Sequence, residues 1–166
     1  VHAWGACGRR FKSSRPDHPF LSTNFYFRAS MTAKQKPTEY FGLTIPFLDH
    51  LNVVPEYAEN GKSRISLEMK PELENSFGVA HGGVVMTLLD FAMAAAARSS
   101  MNHPLGAITI DMTVSFLRPS VGKIAVEGLV LKSGKSINYC EAVVLNEAGE
   151  ITAKSSGTFV LRKQGA

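Results

Sequence analysis

Cysteine is scarce in this chain: two residues, Cys7 and Cys140, among 166. Two distant thiols make no disulfide framework. Cys140 lies in a strand-like run and reads as a small buried hydrophobe rather than a nucleophile. The five histidines, at 2, 18, 50, 81 and 103, lack the spacing of a zinc site, so no metal is expected. No Gly-x-Ser-x-Gly elbow is present, which leaves an α/β-hydrolase route to ester cleavage without support. Gly134, Lys135 and Ser136 superficially match the end of a phosphate-binding loop. However, five residues separate Gly128 from Gly134 where that motif has four, and the segment joins two strands instead of opening a helix. A clean membrane-spanning run is also missing. Residues 79–97 come nearest, but they contain His81, a glycine pair and a central Asp90.

A favourable charge for nucleic acid is lacking as well, although the formal charge is +4 and the pI near 9.2. The positive charge belongs to residues 1–30, where Arg9, Arg10, Lys12, Arg15 and Arg28 face a single acid, Asp17. The remainder carries equal numbers of acids and bases, so nucleic acid is not an expected partner. Residues 1–30 have no helical or strand periodicity and no continuous apolar segment of the secretory type. They are expected to be a disordered extension before a domain spanning 31–166. A transit peptide and a folded arm are the other readings. With neither a secretory signal nor a span, the domain is expected in the cytoplasm.

What is present is organised around residues 81–97, HGGVVMTLLDFAMAAAA. This is helix-forming sequence, and between Val84 and Ala97 only Thr87 and Asp90 are polar. A helix apolar on all sides is normally buried. A carboxylate within it is satisfied from elsewhere or kept for chemistry. Before it, residues 45–51 read as a short helix or turn. Residues 53–58 and 63–69 flank Asn60-Gly61, a hairpin signal. Arg64, Ser66 and Glu68 alternate there with Ile65, Leu67 and Met69. Residues 71–80 form a loop, and the helix runs from Gly83 to about Ser99. Four strand-like runs follow, at 106–116, 123–132, 136–146 and 150–161, with turn-like joints. One long apolar helix and an antiparallel sheet bury each other when the sheet curls round the helix. Alanines at 92 and 94–97 permit close backbone approach.

This order, together with Asn75, His81-Gly82-Gly83 and Asp90, resembles the hotdog-fold acyl-CoA thioesterases of the PaaI (phenylacetate-degradation) type. The resemblance runs from about Phe41 to Leu161. Its most specific parts are ENSFGVAHGGVVMTLLDFA, AITIDMTVSFLRP and AGEITAKSSGTF. It implies an α+β hotdog fold, a curved antiparallel sheet wrapped around one central helix. It also implies a homodimer with shared active sites, commonly paired again into a tetramer, and hydrolysis of an acyl-CoA without metal or cofactor. The helix start of one subunit would face the acid of the other.

The resemblance assigns roles that the chemistry supports. Asp90 would be general base or nucleophile. Gly82 would present a backbone N–H at a helix start, where the dipole is positive, to the charge that develops on the thioester oxygen. Asn75 would polarise the same carbonyl, and His81 would orient Asn75 or its loop. Thr109 would contact water or substrate near the acid. Gly83, Arg118, Gly134 and Lys135 are candidate CoA contacts. Met86, with Asp90, Met93 and Ala94, is expected to line the acyl pocket. The alternatives are a hotdog hydratase or dehydratase on acyl thioesters, and a non-catalytic acyl-CoA-binding protein. The acyl group itself is not readable from the residues.

Overall fold

The computed structural model describes residues 38–101, 105–134 and 136–163. The extension expected at 1–30 and Lys135 lie outside the described residues. A short helix, α1 (Pro46–Leu51), precedes a hairpin of β1 (Val54–Glu59) and β2 (Lys62–Glu68). A 3-10 turn at Pro71–Leu73 leads to the long helix α2 (Gly82–Ser99). Four strands follow: β3 (Leu105–Phe116), β4 (Lys123–Ser133), β5 (Ile137–Leu145) and β6 (Ile151–Lys163). They form one antiparallel sheet in the order β1-β2-β4-β5-β6-β3, open at the β1 and β3 edges. This is the expected α+β hotdog architecture.

The hairpin forms where Asn60 and Gly61 both take positive φ, 50° and 75°, as a turn matched to strand twist requires. Helix α2 begins one residue earlier than the sequence suggests, because His81 rather than Gly82 supplies the cap. Ser66, expected on the exposed face of β2, is buried. It is a small side chain paired with Val54 on one side and Ala125 on the other.

The core lies between α2 and the sheet. Leu88, Leu89, Ala92, Met93 and Ala96 of the helix are fully buried, as are Ile65, Ile124, Val126, Cys140, Val144 and Phe159 of the sheet. Burial pushes the Cys140 thiol up to about 11, consistent with an inert core residue. The helix backbone nearly touches the sheet. The Ser63 hydroxyl donates to the Ala92 carbonyl at 2.6 Å. A Cβ on Gly128 would lie 2.4 Å from that same oxygen, and one on Gly157 would lie 2.9 Å from the Asp111 carbonyl and 3.3 Å from Met93. The expected close approach is therefore made by helix alanines on one side and sheet glycines on the other.

Because the atom opposing Gly128 is helix backbone, it has no flexible end to move. Gly128→Ala is expected to lower the unfolding free energy by about 3 kcal/mol, read from a denaturant titration.

Candidate active site

The loop before α2 is pinned on both sides. The Ala80 N–H donates to the Ser120 carbonyl at 2.9 Å, and the His81 N–H to the Leu73 carbonyl at 2.8 Å. Within it, the Asn75 and Val79 backbones pair at 2.9 Å. The Asn75 Oδ1 accepts from the Phe77 N–H at 2.9 Å, closing an Asx turn. That bond occupies the amide oxygen and leaves the Nδ2 hydrogens as donors. Phe77, at the tip, is 87% exposed.

His81 caps the helix. Its Nδ1 accepts from the Gly83 N–H at 3.0 Å, and its carbonyl accepts from the Val84 and Val85 N–H groups. Among the described residues no bond joins the His81 side chain to Asn75; its Nδ1 is taken by the helix end. The same bond uses the Gly83 N–H, which is thereby removed as a CoA contact. Gly82 is left with an N–H that has no hydrogen-bond acceptor among the described residues. Its Cα side faces the Phe116 ring, at van der Waals distance from where a Cβ would stand.

Asp90 lies two turns further along α2, half-buried. The Thr109 hydroxyl donates to its Oδ1 at 2.7 Å. The acid is thus satisfied from outside its helix, by β3. Pairing between β3 and β6 shifts between Thr109 and Asp111, so Ile110 is an extra residue in the strand. Such bulges change the aim of neighbouring side chains, and this one stands beside the acid. Asp111 is exposed and has no side-chain bond to the site.

Asp90 and Thr109 border a cavity of about 360 Å³. Helix α2 contributes Thr87, Asp90, Phe91, Ala94, Ala95 and Arg98, a stripe at helical spacing. Leu43, Ile45, Phe47 and Leu48 form a second wall at α1, and Gly106, Ala107 and Thr109 a third on β3. Phe91 is held by Phe41, stacked at 6.1 Å, and by Tyr40, edge-on at 5.8 Å. Tyr40 is anchored in turn by a hydrogen bond to Asp49 at 3.0 Å; burial first, then that carboxylate, pushes its hydroxyl up to about 12.

The lining of this cavity differs from the expected pocket stripe in two places. Met93 is fully buried against the sheet, and Met86, one turn before Asp90, is 42% exposed and does not border the cavity. Asp90 and Ala94 do border it. The α1 wall and Arg98 were missed, although the spacing 87, 90, 91, 94, 95, 98 was in the sequence. Of the CoA candidates, Arg118 is exposed and donates to the Ile151 carbonyl at 2.9 Å. The Gly134 N–H donates to the Ile137 carbonyl at 2.8 Å, closing the β4–β5 hairpin, so it is not open to phosphate. Among the described residues no cluster of His, Cys, Asp and Glu could hold a metal. No described helix is long and apolar enough to cross a membrane.

Residues 77–153, which contain His81, Gly82, Asp90 and Thr109, match the thioesterase superfamily. An archaeal protein of Halobacterium salinarum, provisionally named an esterase, is 32% identical over 120 residues, 69% of this chain and 80% of that one. Human acyl-coenzyme A thioesterase 13 is 28% identical over 104 residues, 61% of this chain and 74% of that one. Among solved structures, the Escherichia coli PaaI protein of the phenylacetic acid degradation operon superposes with a TM-score of 0.66 at 21% identity. That match covers 70% of this chain and 84% of that one, and supports the fold.

The cap gives a prediction for His81 alone. His81→Ala is expected to cost about 1 kcal/mol of unfolding free energy, and His81→Asn to recover most of it. Both values come from denaturant melts.

Proposed function

The chain belongs to the thioesterase superfamily as a hotdog-fold thioester hydrolase of PaaI type, and we propose that it cleaves acyl-CoA to a free acid and CoA with Asp90 as general base. The observation that carries this reading is the Asp90 carboxylate at the border of an apolar cavity, fixed by the Thr109 hydroxyl at 2.7 Å. Thr109 occupies Oδ1, which leaves Oδ2 to take a proton from water. The water oxygen then bonds to the thioester carbon. The tetrahedral intermediate collapses with loss of the CoA thiolate, and the proton on Asp90 passes to that leaving group.

The negative charge on the former carbonyl oxygen needs donors. Gly82 offers the unoccupied N–H at the positive end of α2, and Asn75 offers Nδ2 from a braced turn. Both cannot serve the Asp90 of their own chain. Eight residues of helix separate Gly82 from Asp90, a rise of about 12 Å, whereas groups acting on one carbonyl must come within about 3 Å of their atoms. The donors therefore belong to a second copy. The β3 edge supports such pairing: it exposes Ile108, Ile110 and Phe116 beside unpaired backbone, and joining two β3 strands would cover both. The outer sheet face, with exposed Leu129, Leu131, Ile137 and Tyr139, would serve a further pairing of dimers.

Asp90→Asn is expected to lower kcat on acyl-CoA by about a thousandfold with the melting temperature retained. Thr109→Val, which removes only the hydroxyl donor, is expected to lose about tenfold to a hundredfold. A thiol-release assay reads both. Full activity in Asp90→Asn would exclude the mechanism. Label from heavy-oxygen water found in the Asp90 carboxylate after one turnover would assign direct attack instead.

A further inference from the structure

Between Val84 and Ala97 only two residues of α2 are polar, Thr87 and Asp90, and both border the cavity. The proposed chemistry uses the acid and leaves the threonine without a task. The two stand three residues apart, which makes them neighbours on one helix face with about 5–6 Å between their Cβ atoms. The next cavity residues along the helix, Phe91, Ala94 and Ala95, are apolar.

The Thr87 hydroxyl donates to the Gly83 carbonyl at 2.9 Å. A hydroxyl has one hydrogen and two lone pairs. With its hydrogen engaged in the helix, Thr87 offers the cavity only acceptor capacity. The Asp90 carboxylate is also acceptor-only, and Thr109 already occupies its Oδ1. Two neighbouring acceptors suit a molecule with two hydrogens to donate. Water has two, and a pair of bonds of about 2.8 Å lets one water bridge oxygens about 4–5 Å apart. A thioester has no such hydrogen at its reacting centre. The Thr109 oxygen has lone pairs as well, but it lies against Oδ1, the oxygen that the attacking water does not use. A back bond to the preceding turn suits a threonine on any helix face. Its place on the cavity wall beside the acid is what a structural duty leaves unexplained.

Building on the thioesterase reading, we infer that Thr87 is a further catalytic residue, which holds the attacking water together with Asp90. The water donates one hydrogen to Asp90 Oδ2 and the other to Thr87 Oγ1, so a lone pair on its oxygen is free to face the thioester carbon. In the step itself the first proton passes to Asp90 as the oxygen–carbon bond forms. The second hydrogen stays on that oxygen, beside Thr87. When the carbon–sulfur bond breaks, the CoA thiolate takes the proton from Asp90. Both holders belong to one chain, so each subunit positions its own water, and the second copy supplies only the donors for the carbonyl.

The experiment uses Thr87→Val, which keeps the branched shape and removes the hydroxyl, and Thr87→Ser, which keeps the hydroxyl and removes the methyl. Thiol release is measured on the best substrate of a panel from acetyl-CoA to decanoyl-CoA with phenylacetyl-CoA added. Thr87→Val is expected to lower kcat about tenfold with KM within about twofold of the wild type. Thr87→Ser is expected to keep kcat within about threefold of the wild type. If a circular-dichroism melt shows that Thr87→Val fails to fold, Thr87→Ala, which also lacks the hydroxyl and favours helix, takes its place. Wild-type kcat in the variant without the hydroxyl overturns this inference and leaves the thioesterase reading intact. So does a raised KM at unchanged kcat, which would assign Thr87 to substrate binding. A loss in Thr87→Ser as large as that in Thr87→Val overturns it too, since shape rather than the hydroxyl would then matter. Failure of the wild type to release thiol from any member of the panel removes the thioesterase reading and this inference together.

Discussion

The contact between the α2 backbone and β4 determines the rest of the molecule. The Ala92 carbonyl sits over Gly128, close enough that a Cβ would fall 2.4 Å from it, and accepts the Ser63 hydroxyl at 2.6 Å. That hydrogen bond fixes the helix in rotation as well as in depth. With Ala92, Leu88, Leu89 and Ala96 turned to the sheet, the opposite stripe of Thr87, Asp90, Ala94 and Arg98 must turn away from it. Asp90 is thus not an acid stranded in a core. It stands on the face that the sheet does not cover, and β3 supplies the hydroxyl that holds it.

The same helix carries two chemically different ends. At its start, His81 takes the Gly83 N–H and the Asx turn takes the Asn75 oxygen. What remains available is the Gly82 N–H and the Asn75 amide hydrogens, both donors and both suited to a negatively charged oxygen. Two turns later comes a carboxylate suited to accepting a proton. The rigidity of an α-helix keeps the two sets apart, so the proposed chemistry needs two helices. The exposed β3 edge is where a second copy would bring its helix start to the acid.

The elements that carry strong periodicity were legible from the residues. The long helix came from its apolar run, the first hairpin from Asn60-Gly61, and the strands from alternation between turn signals. Asp90 and Thr109 were legible as candidates through their resemblance to a family, but their 2.7 Å bond was not. It is made beside a β-bulge at Ile110, and a bulge leaves no mark in side-chain type alone. The α1 wall of the cavity was hidden because its residues, Leu43 to Leu48, are ordinary hydrophobes whose partners are distant in sequence. Local hydrogen bonding was hidden for a related reason. Gly83 and Gly134 were expected as CoA contacts, whereas their N–H groups meet local requirements of the chain itself, a helix cap by His81 and a hairpin closure.

The central claim is that one thioester site is assembled from two copies of the chain. Mixing subunits tests it directly. Asn75→Ala and Asp90→Asn each damage a different half of the site and should each be nearly inactive. If sites are shared, co-refolding equal amounts creates mixed dimers with one intact site. Activity should then rise to about a quarter of the wild-type value, set by the random pairing of two chains. Activity that stays at the average of the two separate variants would contradict the account.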